Sequence, residues 1–137
     1  MNVQSYLNNI REERITINAL ADRVEELRAA MLPSAIRYDK INVMTSPDAD
    51  PMLDALEEIH ALEQDIRLRL VRLIPEYNKA RDAIAELPDL NQRKVLHLYY
   101  LDSRVLSMQS IAIMLGYTER NIYEIRRKAL QNIVFRY

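Results

Sequence analysis

Apolar side chains recur at heptad spacing through the first thirty residues of the chain. The two series are Val3, Ile10, Ile17, Val24 and Met31, and Tyr6, Glu13, Leu20 and Leu27. Heptad spacing that holds over four repeats is typical of a coiled-coil seam. The pattern therefore predicts one long helix, which ends before Pro33 because proline cannot continue a helix.

A second heptad segment runs from about residue 51 to residue 87. Its series are Met52, Ile59, Ile66, Leu73, Ala80 and Leu87, and Leu56, Glu63, Leu70, Tyr77 and Ile84. Asp50 is predicted to cap this helix, and Pro51 suits its first position, where an N–H group has no partner. Because the heptad phase continues across Pro75, we expect a kink at that proline and not a reversal of the chain.

The two segments would be roughly 43 and 54 Å long at about 1.5 Å per residue. Residues 33–50 between them show no period and contain few strong helix formers, which is typical of a linker. We therefore expect residues 1–87 to form a long antiparallel helical hairpin. Two helices alone give little cover to such long seams, so we also expect a homodimer through this coiled coil.

The pattern changes around Pro88, where we place the start of a second domain, residues 88–137. Asp89 followed by Gln92 is typical of a capping box that opens a helix, here from about Leu90 to Leu101. The apolar residues of this third helix are dense enough for a buried position.

Two short amphipathic helices complete the second domain, with Ser107 and Thr118 as their predicted N-caps. A helix–turn–helix needs a small residue where the helices cross and a residue at positive φ in the turn, and Ala112 and Gly116 meet these needs. The inward face of the final helix is expected to consist of Ile122, Ile125, Ala129 and Ile133.

The outward face of the final helix carries side chains suited to duplex DNA. Arginine can bind guanine through two hydrogen bonds, and glutamate can accept one from the amino group of cytosine. Because the N-terminal part of such a helix reaches the base edges, we assign base reading to Glu119, Arg120, Tyr123, Glu124 and Arg127. We assign phosphate contacts to Ser107, Gln109, Thr118, Asn121, Arg126 and Lys128.

Composition supports a helical fold, because the 137 residues include one glycine and no cysteine. Hairpin-rich β folds need many residues at positive φ, and phosphate-binding loops need several glycines. The fold class expected is therefore all-α, with Gly116 placed in the turn. The absence of cysteine excludes disulfides and thiolate zinc sites and fits a cytoplasmic location.

Charge is divided unevenly along the chain. Residues 1–90 carry 11 Lys and Arg against 17 Asp and Glu, whereas residues 91–137 carry 8 against 3. An acidic segment joined to a basic one is typical of nucleic-acid-binding proteins. The charge division thus agrees with DNA binding by residues 88–137.

The last 45 residues resemble the fourth region of sigma-70-type RNA polymerase sigma factors. The motifs are the run Val95–Leu101, the segment Ser107–Gly116 with Ile111-Ala112 and Leu115-Gly116, and the pattern Ile122, Ile125, Ala129-Leu130. A coiled coil followed by such a domain is similar to small phage and prophage regulators of late genes. The resemblance implies binding near promoters and contact with RNA polymerase. Glu119 and Glu124 make the reading face less basic than the family's usual one.

Other classes of function find less support in the sequence. No nucleophile–base pair, metal-ligand spacing or cofactor motif is present, so we expect a non-enzyme without metal or cofactor. No apolar run approaches the length of a membrane span. The alternative to a regulator is a phage assembly or DNA-packaging adaptor that oligomerises through its coiled coil and uses the helix–turn–helix for docking.

Overall fold

The chain folds entirely into helices in the computed structural model, which describes residues 2–32 and 50–135. Helix makes up 83% of these residues and no strand occurs among them, which confirms the all-α class. The elements are α1 (Val3–Ala30), α2 (Pro51–Ala85), α3 (Leu90–Leu96) with a π-helical turn (His97–Leu101), α4 (Met108–Leu115) and α5 (Glu119–Asn132). The predicted linker lies outside the described residues, apart from Asp50.

Side-chain caps start four of these helices at the predicted residues. Asp50 Oδ1 accepts hydrogen bonds from the amides of Met52 and Leu53, both at 3.1 Å. Asp89, Ser107 and Thr118 cap α3, α4 and α5 in the same way. The capping box predicted at α3 differs in its second half, because the buried Gln92 instead accepts a hydrogen bond from Asn132 Nδ2 at 3.2 Å.

Pro75 lies inside a single helix of 35 residues, α2. The chain does not reverse there, as the heptad phase predicts. A proline inside a helix removes one backbone hydrogen bond, so packing of the flanking turns has to hold the helix together. Leu73 and Ala80, which flank Pro75 in the heptad series, are both buried.

The chain divides into two compact units, and the division differs from the predicted boundary at residue 88. The middle unit is Thr16–Leu70, and the terminal unit combines Met1–Ile15 with Val71–Tyr137. Thus the first half of α1 and the last part of α2 belong with the C-terminal helices. Heptad spacing identifies which face of a helix is buried, but it does not identify the element that covers each stretch of that face.

The middle unit is held by a small apolar cluster and by charged pairs at its surface. Val24, Leu27 and Ile59 are buried, and the partly buried residues packed against them are Met31, Ala55, Leu62 and Ile66. Arg23 pairs with Glu58 at 3.3 Å and Arg28 with Glu63 at 3.0 Å, all with exposed side chains. Such exposed pairs contribute about 0–1 kcal/mol each, so apolar packing is the main stabilising contact here.

The terminal unit has its own apolar core, to which α3, α4 and α5 contribute. Its buried members are Val95, Met108, Ile111, Ala112 and Ile122, with Ile125 and Leu115 among the residues packed against them. Ala129 and Ile133 are also buried, as predicted for the inward face of α5. Burying one such side chain contributes roughly 1.5–3 kcal/mol.

Gly116 ends α4 in the left-handed region of the backbone, with φ of 76°. The amides of Gly116 and Tyr117 both donate to the carbonyl oxygen of Ala112, the latter at 2.9 Å. This arrangement is the Schellman type of helix end, which favours glycine because a side chain is strained at positive φ. Only Gly116, Tyr117 and Thr118 separate α4 from α5.

Candidate nucleic-acid interface

The five residues assigned to base reading all lie exposed on α5. They are Glu119, Arg120, Tyr123, Glu124 and Arg127. At 3.6 residues per turn, Arg120, Glu124 and Arg127 line one face, opposite the buried Ile122 and Ala129. The N-terminal two-thirds of α5 therefore presents a continuous polar surface.

Five of the six residues assigned to phosphate contact are also exposed. Thr118, Asn121 and Lys128 lie at or along α5, and Ser107 and Gln109 lie at the start of α4. Ser107 Oγ accepts the amide of Ser110 at 3.1 Å, and Thr118 Oγ1 accepts that of Asn121 at 3.2 Å. The two helix N-termini thus present free amides and short polar side chains, a combination that suits anions.

Arg126, the sixth, points away from this surface. Its Nε donates to the Tyr100 hydroxyl at 3.2 Å, and its guanidinium lies 5.2 Å from the centre of the Tyr99 ring. Its side chain is half-buried in the terminal unit. Consecutive helical residues point about 100° apart, so the basic run 126–128 divides between an inward Arg126 and an outward Arg127 and Lys128.

Arg127 already has a partner on the exposed face of α5. Its Nη2 lies 2.8 Å from Glu124 Oε2, one helical turn earlier. This hydrogen bond, together with the positive charges of Arg127 and Lys128, lowers the pKa of Glu124. Both side chains are more than half exposed, so the pair is held weakly and Arg127 can exchange Glu124 for another acceptor.

The end of α3 is held by side chains that the sequence does not single out. Arg11 donates from Nε to the carbonyl of Tyr99 at 3.2 Å and from Nη2 to that of Leu106 at 3.0 Å. Arg14 Nη1 donates to the carbonyl of Tyr100 at 2.7 Å. The last carbonyls of a helix have no intrahelical partner, and cations near that end are favourable. These arginines therefore anchor the π-helical turn.

Aromatic contacts complete this anchor. The Arg11 guanidinium lies 4.3 Å from the centre of the Tyr99 ring, and the Tyr77 hydroxyl donates to the carbonyl of Leu101 at 3.0 Å. Burial lowers the pKa of Arg14 and raises that of Tyr100. Arg11 and Arg14 of α1 and Arg126 of α5 thus meet around Tyr99 and Tyr100. The α1 arginines are 88 and 86 positions away from the tyrosines whose carbonyls they bind. No spacing rule in the sequence identifies such a contact.

Asp102 shapes the loop between the π-helical turn and α4. It accepts hydrogen bonds from both the backbone amide and the Nε of Arg104, each at 2.9 Å. These contacts lower the pKa of Asp102 to about 2. The loop that leads to Ser107 and the start of α4 thus begins with a local ion pair and a hydrogen bond from a backbone amide to a carboxylate.

Residues 2–32 and 50–135 contain no group of three or more His, Asp and Glu side chains that could hold a metal ion. In the same ranges no helix is long and apolar enough to cross a membrane.

No protein-family model, curated protein or solved structure matches this chain.

Proposed function

We propose that α4, the Gly116 turn and α5 form a helix–turn–helix, and that the protein is a sequence-specific DNA-binding transcriptional regulator. The observation that carries the proposal is the pair of opposite faces of α5. Ile122 and Ala129 are fully buried and hold the helix on the core, while the polar side chains of the opposite face are exposed. A helix held in this way can enter the major groove of DNA without losing contact with its own domain.

The proposed reading of DNA follows from the outward face of α5. Arg120 and Arg127 would bind guanine through paired hydrogen bonds, and Glu119 and Glu124 would accept from cytosine. Tyr123, which is 48% exposed, offers a ring for contact with a thymine methyl group and a hydroxyl for a hydrogen bond. Arg127 would exchange its hydrogen bond with Glu124 for hydrogen bonds to a base. The pair would therefore lower the affinity for sequences that offer Arg127 no matching base.

Phosphates would be held at the edges of this helix. Thr118 and Asn121 lie at its start, Lys128 lies in its second half, and Ser107 and Gln109 lie at the start of α4. Phosphate contacts fix the register of the helix in the groove, whereas base contacts supply specificity. Arg126 is left out of this set, because its guanidinium is bound to Tyr100.

Promoter action and partner contacts rest on the sequence resemblance to the fourth region of sigma factors. By that resemblance the protein would act near a promoter and contact RNA polymerase. The proposed homodimer through the coiled coil stays a prediction, because Val24 and Ile59 of the seam are buried within one chain whereas Met52 and Leu56 are exposed. The antiparallel hairpin remains part of the proposal.

The proposal is tested by titrating the full chain with random-sequence duplex DNA at several salt concentrations. Binding should weaken steeply with salt, since each phosphate contact adds about 0.9 to the slope of log affinity against log salt. Lys128→Gln should reduce that slope by about 1 on every sequence. Arg67→Gln, a change of the same charge at an exposed residue of α2, is the matched control and should leave the slope unchanged. Absence of binding at low salt would refute the proposal.

A further inference from the structure

A groove of about 500 Å³ opens on the terminal unit where the last turns of α2, α3 and α4 come together. Its floor is apolar and includes Ile84, Leu98 and Met114. Cationic or titratable side chains border it, among them Arg93, Lys94 and His97. None of the lining residues belongs to α5, so the groove is distinct from the proposed DNA-binding surface.

The border of the groove carries positive charge at Arg93 and Lys94, whereas Arg81, which also lines the groove, pairs with Asp82 at 3.5 Å. The side chains of Arg93 and Lys94 form no ion pair with any residue in 2–32 or 50–135. Met114 on the floor is 46% exposed. An apolar groove of this kind binds the apolar face of an amphipathic helix, and the basic border favours a helix that is acidic beside that face.

The chain itself contains a helix face with this chemistry, which we term the acidic segment, Pro51–Glu57. Met52, Leu53 and Leu56 are 54%, 51% and 47% exposed and share one side of the first two turns of α2. Glu57 lies at the edge of this side, and Asp54 lies next to Glu57 around the helix axis. Neither carboxylate forms an ion pair with the residues that the structure describes. These three neighbouring apolar residues leave a side of α2 that a partner surface could cover.

We propose that the acidic segment of one molecule docks in the groove of a second copy. The apolar residues of the segment would cover the groove floor, and Asp54 and Glu57 would meet the positive border. The acidic segment and the groove residues of α2 lie at opposite ends of the same 35-residue helix, so the contact joins two molecules. Two such contacts exchanged reciprocally close a dimer, and successive ones build a larger assembly.

Sedimentation equilibrium of the full chain with charge-reversal variants tests this contact. The native protein should associate as its concentration rises. Arg93→Glu with Lys94→Glu, or Asp54→Lys with Glu57→Lys, should each weaken association by at least about tenfold, because like charges then face each other. The chain with all four changes should regain most of the native affinity. Arg72→Glu and Glu25→Lys reverse exposed charges elsewhere on the helices and should change association little.

Disulfide trapping identifies the two surfaces directly, since the chain contains no cysteine. Leu56→Cys and Met114→Cys proteins, mixed and oxidised, should form a mixed disulfide dimer more readily than either protein alone. Leu32→Cys, at another exposed leucine, should not cross-link with Met114→Cys above background.

Three results would overturn the proposed contact between two copies of the chain outright. Concentration-independent mass of the native chain up to the millimolar range would overturn it, and so would association that ignores the charge reversals. Association that fails to recover in the fourfold variant would also overturn it, because the two charged surfaces then do not face each other. DNA binding should persist in all of these variants, so a failure of the docking contact is distinguishable from a failure of the proposed function.

Discussion

Gly116 is the residue on which the geometry of the α4–α5 connection depends most directly. Its φ of 76° lies in the left-handed region, but a Cβ atom added there would meet nothing within 4 Å. The cost of a side chain is therefore conformational and not steric. It is about 1–2 kcal/mol for an ordinary residue and larger for a β-branched one.

Gly116→Val should accordingly lower the free energy of unfolding of the terminal unit by at least about 1–2 kcal/mol and weaken DNA binding. Chemical denaturation followed by circular dichroism measures the first effect. Gly116→Asn is the matched control, because asparagine tolerates the left-handed region, and it should retain most of the stability. Equal stability of the valine variant and the native protein would show that the turn does not need positive φ.

Asp102 makes the stability of the fold depend on pH in the acidic range. Its pKa in the folded state is about 2, below its ordinary value near 3.9. The carboxylate therefore stabilises the fold above pH about 4, and this contribution is lost as the pH falls towards 2. Arg104→Gln should raise the pKa of Asp102 towards its ordinary value, which NMR titration of the carboxyl carbon measures. An unchanged pKa would show that the backbone amide of Arg104 alone holds the carboxylate.

At the residue scale the sequence predicted what local chemistry determines. The caps at Asp50, Ser107 and Thr118 and the conformation of Gly116 all depend on neighbours within a few residues. Arg126 shows the limit, because its orientation depends on Tyr100, 26 residues away. The sequence shows that residue 126 is a positively charged arginine, but it does not show the direction in which the side chain points.

At the scale of single elements, α5 combines a buried apolar face with an outward face of mixed charge. Glu124 lies between Arg120 and Arg127 and neutralises the latter at 2.8 Å. Negative charge at this place opposes the approach of phosphate but adds selectivity if a cytosine lies opposite. The two acidic residues thus predict a reader that discriminates well and binds non-specific DNA weakly.

Glu124→Gln should tighten binding to random-sequence DNA several-fold, because it removes a negative charge and frees Arg127. It should also reduce discrimination between preferred and random sites. Fluorescence anisotropy with both kinds of duplex measures the two effects. Glu25→Lys on α1 is a control for a gain of charge elsewhere. Weaker binding to random DNA in the Glu124 variant would contradict the proposed exposure of α5 to DNA.

The helices themselves followed from the sequence, with one exception. Heptad series and caps predicted α1 and α2, including passage through Pro75. The π-helical turn His97–Leu101 was not predicted. In this turn the carbonyls of Tyr99, Tyr100 and Leu101 accept hydrogen bonds from Arg11, Arg14 and Tyr77, in that order. Tertiary contacts of this kind leave no periodic trace in the sequence.

At the scale of the whole molecule, the main finding is that the two ends of the chain share one compact unit. The predicted boundary at residue 88 rests on a change of pattern, whereas the structure joins Met1–Ile15 to Val71–Tyr137. Arg11, Arg14 and Tyr6 of α1 bind residues of the terminal unit that are 70 or more positions away. A fragment limited to the last helices would lose these contacts.

Arg14→Ala should therefore destabilise the terminal unit by about 1–3 kcal/mol, because the carbonyl of the buried Tyr100 loses a charged donor. Urea denaturation of the full chain measures this change. Arg28→Ala, which removes an exposed ion pair with Glu63, should cost less than about 1 kcal/mol. Equal effects of the two substitutions would show that the anchor between α1 and the π-helical turn contributes no more than a surface contact.

The most direct test of sequence-specific reading by α5 is selection of bound duplexes from random DNA, carried out with the full chain and with Arg127→Ala. We predict that the native protein enriches one sequence motif. Arg127→Ala should relax the preference at one base pair and cost about 1–3 kcal/mol on the selected site. Selection without any enriched motif, or an identical motif and affinity for both proteins, would contradict the account.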